Sequence, residues 1–173
     1  KAMFHLSPDD DGSQVRPVPP GMSTITPHII CPDAKAAIEF YRKAFNAMDM
    51  PFGCLEVDGR FLHGEIMIGD SVVMIAQEDA ACGSLSPGTL KGTPVALHVY
   101  VNDVDQAWKQ AIEAGARQIM PVTDMFWGDR YGVLEDPFGH RWSLATHVRD
   151  VPPEEIERAA REFMAQAPWK ENA

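Results

Sequence analysis

The sequence predicts an α+β fold built from two βαβββ modules and closed by a C-terminal helix. Three observations carry that reading. The hydropathy pattern strand, helix, strand, strand, strand runs through the chain twice. Landmarks of the two runs share one spacing: His28 and His98, Asp33 and Asp103, and Glu65 and Glu135 are each 70 residues apart, and Met74 and Ser143 are 69 apart. The stretch 125–147, MFWGDRYGVLEDPFGHRWSLATH, reads as loop, strand, tight turn and strand. A hairpin of this kind is marginal alone and must complete a larger sheet.

Taken in order, residues 1–21 hold Asp9-Asp10-Asp11 and four of the fourteen prolines, with almost no periodicity. They read as a tail, native or left from cloning, with Met22 as a candidate natural start. Residues 24–31 form a strand. Pro32-Asp33 opens a helix capped by Asp33, whose apolar stripe is Ala37, Ile38, Phe40, Tyr41, Ala44 and Phe45. Residues 50–57, 61–68 and 72–77 are three further strands, turned at Asp58-Gly59 and Gly69-Asp70-Ser71.

A loop rich in Gly, Ser and Pro follows, and then the pattern repeats. Residues 95–101 (VALHVYV) are a strand, and Asn102-Asp103 cap a helix that runs to Glu113 and ends at Gly115. Residues 118–125 give a sixth strand, and the hairpin supplies the last two through the turn Asp136-Pro137-Phe138-Gly139. Pro152-Pro153-Glu154-Glu155-Ile156 then begins a helix to about residue 167, with acids in its first turn. Its narrow stripe (Ile156, Ala159, Ala160, Phe163, Met164) suits docking rather than a core. The organisation expected is therefore tail 1–21, first module 22–79, linker 80–93, second module 94–149 and C-terminal helix 150–173.

With 173 residues, 45% of them hydrophobic, the chain can bury one core or two half-size ones. Its formal charge of -10 argues against nucleic acid and against an anionic membrane surface as partners. No apolar run approaches the ~20 residues of a membrane span. Cys31, Cys54 and Cys82 are odd in number and form no CxxC pair, as expected of a reduced, cytoplasmic protein.

On these motifs the chain resembles the vicinal oxygen chelate superfamily, which holds glyoxalase I, bleomycin-resistance proteins, fosfomycin-resistance enzymes and extradiol dioxygenases. Ala37-Ile38-Glu39-Phe40-Tyr41 is similar to the family's first helix, and HVYVNDVDQAW (98–108) to the start of its second module. MFWGDRYG followed by DPFGHRWSLATH resembles the PhnB-like, glyoxalase-like branch. The resemblance spans 23–149. It implies a half-open mixed β-barrel, a small-molecule cavity between the modules and a homodimer; activity varies widely on this scaffold.

Metal-dependent relatives place ligands at positions matched here by Thr26, Met74, Ala96 and Ser143. These side chains do not supply the His, Glu, Asp or Gln that Zn²⁺ or a hard divalent cation requires, so no cofactor is expected at the usual place. Strand parity puts His28 and His98 on the same faces as Thr26 and Ala96, one rung away, with Glu65 and Glu135 as companions. Two readings follow. His28, Glu65, His98 and Glu135 form a displaced divalent-metal site, or the histidines bind substrate or water and the glutamates are solvated.

The substrate-binding candidates are His28, His98, Tyr100, Trp127, Arg130, Glu65, Glu135 and Ser143, with His28 and His98 the best catalytic candidates. Met67 and Met74 would add apolar lining. Phe126 and Trp127 read as an aromatic lid or as a plug. Arg130 and Arg141 read as anion holders or as partners of surface acids. Asp129 is expected to fix its loop, and His140 and His147 to be solvated. Ser143 lacks a base-and-orienter set for a nucleophile.

Two functions stand side by side. The first is a glyoxalase-like lyase or isomerase that moves a proton beside a carbonyl, with His28 or His98 as base. The second is a metal-free protein that sequesters a small drug or toxin, in the manner of bleomycin resistance. A third reading leaves the cavity vestigial and assigns the role to the C-terminal helix.

Overall fold

A computed structural model describes residues 15–166 and divides the chain into two compact units, 1–89 and 90–173. Most of the expected tail lies outside the described residues. Each unit is one four-stranded mixed sheet with a helix on one face.

The first unit contains β1 (His28–Cys31), α1 (Ala34–Phe45), β2 (Met48–Val57), β3 (Arg60–Ile68) and β4 (Ser71–Gln77), in the sheet order β1-β4-β3-β2. Strand β1 runs parallel to β4, and the other pairs are antiparallel. The second unit repeats the plan with β5 (Ala96–Tyr100), α3 (Val104–Ala114), β6 (Arg117–Asp124), β7 (Asp129–Glu135) and β8 (Arg141–His147), ordered β5-β8-β7-β6. Between them, the expected linker holds a 3₁₀ turn (Ala80–Cys82) and a single helical turn, α2 (Pro87–Leu90). Helix α4 (Pro153–Gln166) follows β8. This is the α+β, twice-βαβββ architecture read from the sequence, with both sheets open at their edges.

The helices form where the sequence caps them. Asp33 accepts from the Ala36 amide and Asp103 from the Gln106 amide, both at 3.0 Å. Their apolar stripes meet the sheet faces bearing Ile29, Cys31, Ile66 and Ile75 in one unit and Leu134, Trp142 and Leu144 in the other, all buried. The opposite faces carry His28 and His98.

A proline marks one edge strand of each sheet. Pro51 and Pro121 lie in β2 and β6, each beside a break in register. A residue without an N–H is tolerated there because an edge strand needs only half of its ladder.

Two expectations need correction. The first strand begins at His28 rather than residue 24, because Thr26 Oγ1 bonds back to the Ser23 carbonyl at 3.1 Å and Pro27 offers no N–H. The equivalence of Glu65 with Glu135 also fails. Cross-strand register matches His28 with Met74 and His98 with Ser143, but Met74 faces Glu65 whereas Ser143 faces Val133. Val133, not Glu135, is thus the counterpart of Glu65. Glycines confirm the shift: a Cβ on Gly64 would come 3.1 Å from Ile38 of α1, and one on Gly132 would come 2.9 Å from the Trp108 ring of α3. The third strand of each unit therefore carries a glycine under the helix, at an offset different from that of the caps.

Candidate functional site

The second unit gathers the densest chemistry on its open face. Residues 96, 98 and 100 of β5 point away from the helix, as do 141, 143, 145 and 147 of β8 and 129, 131, 133 and 135 of β7. His98 Nδ1 is hydrogen-bonded to Ser143 Oγ at 2.8 Å, across the register pair the two residues form. The Tyr100 ring stands edge-on to His98 at 4.6 Å, and the Tyr131 ring lies nearly parallel to it at 6.0 Å. Trp127 meets Tyr131 edge-on at 5.6 Å. The imidazole is thus framed by aromatic rings, while its other nitrogen, Nε2, carries no side-chain bond among the described residues.

Asp129 holds that frame. It is 4% exposed, and its Oδ2 accepts from Tyr100 Oη and Trp127 Nε1, both at 3.1 Å. Its Oδ1 takes His147 Nδ1 at 2.7 Å, and His147 Nε2 reaches Asp150 Oδ1 at 3.0 Å. Burial alone would raise the Asp129 carboxyl, but the bonds from His147, Tyr100 and Trp127 outweigh it and hold the group below the usual carboxylate range. His147 is raised by its bonds to Asp150 and Asp129. Both ring nitrogens face acceptor-only groups, so the imidazolium is the form that satisfies them. Tyr100, bonded to a carboxylate, is pushed above an ordinary phenol. A depression of about 470 Å³ borders this network, lined by Tyr100, Val101, Asn102, Thr146 and His147.

Sequence reasoning reads Asp129 as a loop-fixing residue and His147 as solvated; the structure bonds Asp129 to Trp127 of the loop and to Tyr100 and His147 of two other strands. His147 is half exposed and yet tied to two carboxylates. The signal that could have found it is the strand pairing of positions 129 and 147, set by the five-residue connection 136–140.

On the open face of the first unit, His28, Met74 and Glu65 form one row across β1, β4 and β3. His63 Nε2 meets Glu65 Oε1 at 3.2 Å, and the His63 ring lies 5.7 Å from that of His28. Burial, and then the neighbouring His63, hold His28 below the ordinary imidazole value.

The remaining candidates are committed elsewhere. Arg130 donates through Nε and Nη2 to Asp105 at 2.7 and 2.8 Å, and through Nη1 to Asp124 at 3.0 Å. Its fork is taken by surface acids. Glu135 pairs with Arg117 at 2.8 Å. Phe126 contacts Trp127 at 5.0 Å and Phe163 of α4 at 5.7 Å, so the α4 stripe docks in part on its own chain.

Residues 22–144 match the model of the Glyoxalase/Bleomycin resistance protein/Dioxygenase superfamily. The chain belongs to this superfamily. An uncharacterized protein of Mycobacterium bovis is 42% identical over 139 residues, spanning 78% of this chain and 90% of the relative. Among solved structures, TioX from Micromonospora sp. ML1 aligns with a TM-score of 0.59 at 24% identity, over 73% of this chain and 99% of TioX. A Bacillus cereus PhnB protein, described as a putative 3-demethylubiquinone-9 3-methyltransferase, aligns with a TM-score of 0.56 at 17% identity, over 72% and 99% of the two chains. These structural likenesses speak to fold alone.

The superfamily's metal positions do not fit a divalent cation here. Ala96 has no donor, Met74 offers only a thioether, Ser143 Oγ is engaged by His98, and Thr26 Oγ1 is engaged by Ser23. The displaced set is divided between the two units. Among the described residues no three His, Cys, Asp or Glu side chains group as metal ligands. His28 and Glu65 belong to one sheet and His98 and Glu135 to the other, and Glu135 is held by Arg117. No helix among the described residues is long and apolar enough to cross a membrane.

Proposed function

We propose that this superfamily member binds a small, planar organic molecule on the open face of its second sheet, without the help of a metal. The observation that carries this reading is the His98–Ser143 hydrogen bond set between the rings of Tyr100 and Tyr131. Tyr100 is 63% exposed, yet its hydroxyl is anchored by buried Asp129. A broad aromatic surface held in one orientation loses little entropy when a ligand stacks on it. His98 would then supply the directional hydrogen bond, and Trp127 the outer wall.

A second reading is favoured by the uncommitted Nε2 of His98. An imidazole fixed through Nδ1 can take a proton at Nε2, which suits a glyoxalase-like lyase or isomerase acting beside a carbonyl. The wording of 125–147 supports placement in the PhnB-like branch, and the family likeness supports a homodimer in the cytoplasm.

Native mass spectrometry of freshly purified protein, with titration of tryptophan fluorescence by bleomycin, tests the binding reading. A co-purified organic molecule or saturable quenching, lost in His98→Ala and Tyr100→Ala, is the expected result. Turnover of a hemithioacetal that vanishes in His98→Gln, with no stable complex, would favour the enzyme.

A further inference from the structure

The open face of the first sheet holds a carboxylate that the fold leaves half used. Glu65 Oε1 meets His63 Nε2 at 3.2 Å, but Oε2 is buried and has no hydrogen-bond partner among the described residues. The side chain is only 11% exposed, and among the described residues no lysine or arginine forms an ion pair with it. Buried carboxylates are normally paired or fully hydrogen-bonded, because the charge has left water. An oxygen withdrawn from solvent and given no donor is an acceptor waiting for one.

The repeat does not account for it. The counterpart of Glu65 in the second unit is Val133, an apolar side chain that asks for no partner. The surroundings are also specific to this unit. His28 stands in the same cross-strand row, and its ring meets the His63 ring edge-on at 5.7 Å. An ionised carboxylate only accepts, so in that form of Glu65 the bond takes its proton from His63 Nε2. The group as a whole therefore offers an unengaged carboxylate oxygen beside two imidazole rings.

We propose that Glu65, His63 and His28 form a subsite for a cationic N–H donor, an ammonium or guanidinium group on a small ligand, with Glu65 Oε2 as its counter-charge. A donor of that kind satisfies the open oxygen and neutralises the buried charge in one step. A hydroxyl would supply the hydrogen bond and leave the charge. The imidazoles supply flat walls. The inference rests on observations in the first unit alone.

The test uses the full chain and ring-proton NMR of His63 and His28, titrated with methylammonium chloride, methylguanidinium chloride and tetramethylammonium chloride. Methylammonium or methylguanidinium should shift both rings saturably, whereas tetramethylammonium, which has charge but no N–H, should not. Glu65→Gln keeps the shape and loses the charge, and should weaken the response by about tenfold, as loss of a charge-assisted hydrogen bond requires. Equal shifts with tetramethylammonium would reduce the effect to ionic strength and overturn the proposal. So would the absence of a saturable shift with either N–H donor, which would leave an ordered water as the occupant of Oε2. An unweakened response in a folded Glu65→Gln protein would move the site elsewhere. The tetramethylammonium comparison needs no variant and decides the matter even if Glu65→Gln does not fold.

Discussion

His147 and Asp129 face each other across the β7–β8 pair, Nδ1 to Oδ1 at 2.7 Å, and Asp150 closes the other side of the imidazole at 3.0 Å. The carboxylate of this pair is buried, and the imidazole is half exposed. Their ionisations are tied to folding in opposite senses. His147 is raised above 6.5, so its contribution is complete below that value and is lost as pH climbs through the raised one. Asp129 is held below 3.8, so its contribution is present above that value and is lost as pH falls through the depressed one. The pair should stabilise most between about 3.8 and 6.5. Thermal unfolding of the wild type and His147→Gln across this range and into mildly alkaline pH should show the Tm gap widest inside the window and narrowing above it. A gap that ignores pH would remove the ion pair from the account.

Asp129 should matter more than His147, because three donors converge on it away from water. In Asp129→Asn one carboxylate oxygen becomes an NH₂ group. Whichever way the amide turns, that group meets a donor from Tyr100 and Trp127 or from His147. The expected loss is about 2 kcal/mol in chemical denaturation. A weakened near-UV circular dichroism signal should accompany it, as Trp127 and Tyr100 lose their anchor. If the aromatic face is the binding surface, bleomycin quenching should fall in this variant even where it remains fully folded.

The repeated modules, both helix caps and the open-face placement of His28 and His98 were legible because they follow local rules. A cap needs a side chain three residues from its amide, and strand parity needs only alternate positions. The Asp129 network was not legible, because Tyr100 reaches Asp129 across 29 positions of chain, on a separate strand. Spacing also misled. Glu65 and Glu135 share the 70-residue interval, yet Glu65 belongs opposite Val133, because the connections between strands differ in length in the two units. Two residues lie between β3 and β4, and five between β7 and β8. Arg130 read as anion holder or surface partner, with the surface pair favoured, and only the positions of Asp105 and Asp124 decide how its donors are spent.

Gly128 is the hinge on which the aromatic loop returns to the strand. Its φ is +105°, and its carbonyl accepts from the amides of Val148 and Arg149, both at 3.0 Å. A Cβ here would stand 1.9 Å from the Arg149 carbonyl oxygen, a backbone atom that cannot swing aside. Gly128→Ala therefore combines a disfavoured backbone region with a collision. A loss of about 3 kcal/mol is expected, measured by urea denaturation, together with displacement of Trp127 and Asp129. Gly83, also at positive φ (+75°) but with open space around it, should cost visibly less on the same substitution.

The last strand of each unit also reaches back to start its helix, with different chemistry at equivalent places. Gln77 Oε1 accepts from the Ala34 amide at 3.0 Å, and its amide group bonds the Pro32 carbonyl. Thr146 Oγ1 accepts from the Val104 amide at 2.9 Å and donates to the Val101 carbonyl at 2.9 Å. Both side chains satisfy an N-terminal helix amide that the capping aspartate does not reach. Thr146→Val keeps the shape and leaves that amide and the Val101 carbonyl without a side-chain partner. Gln77→Leu does the same in the first unit. Each should lower stability by about 1 kcal/mol. Hydrogen exchange should localise the effect, with Thr146→Val raising exchange at the first turn of α3 and leaving α1 unchanged, and Gln77→Leu doing the reverse. Equal loosening of both helices by either variant would show that the units unfold together and that the caps do not act locally.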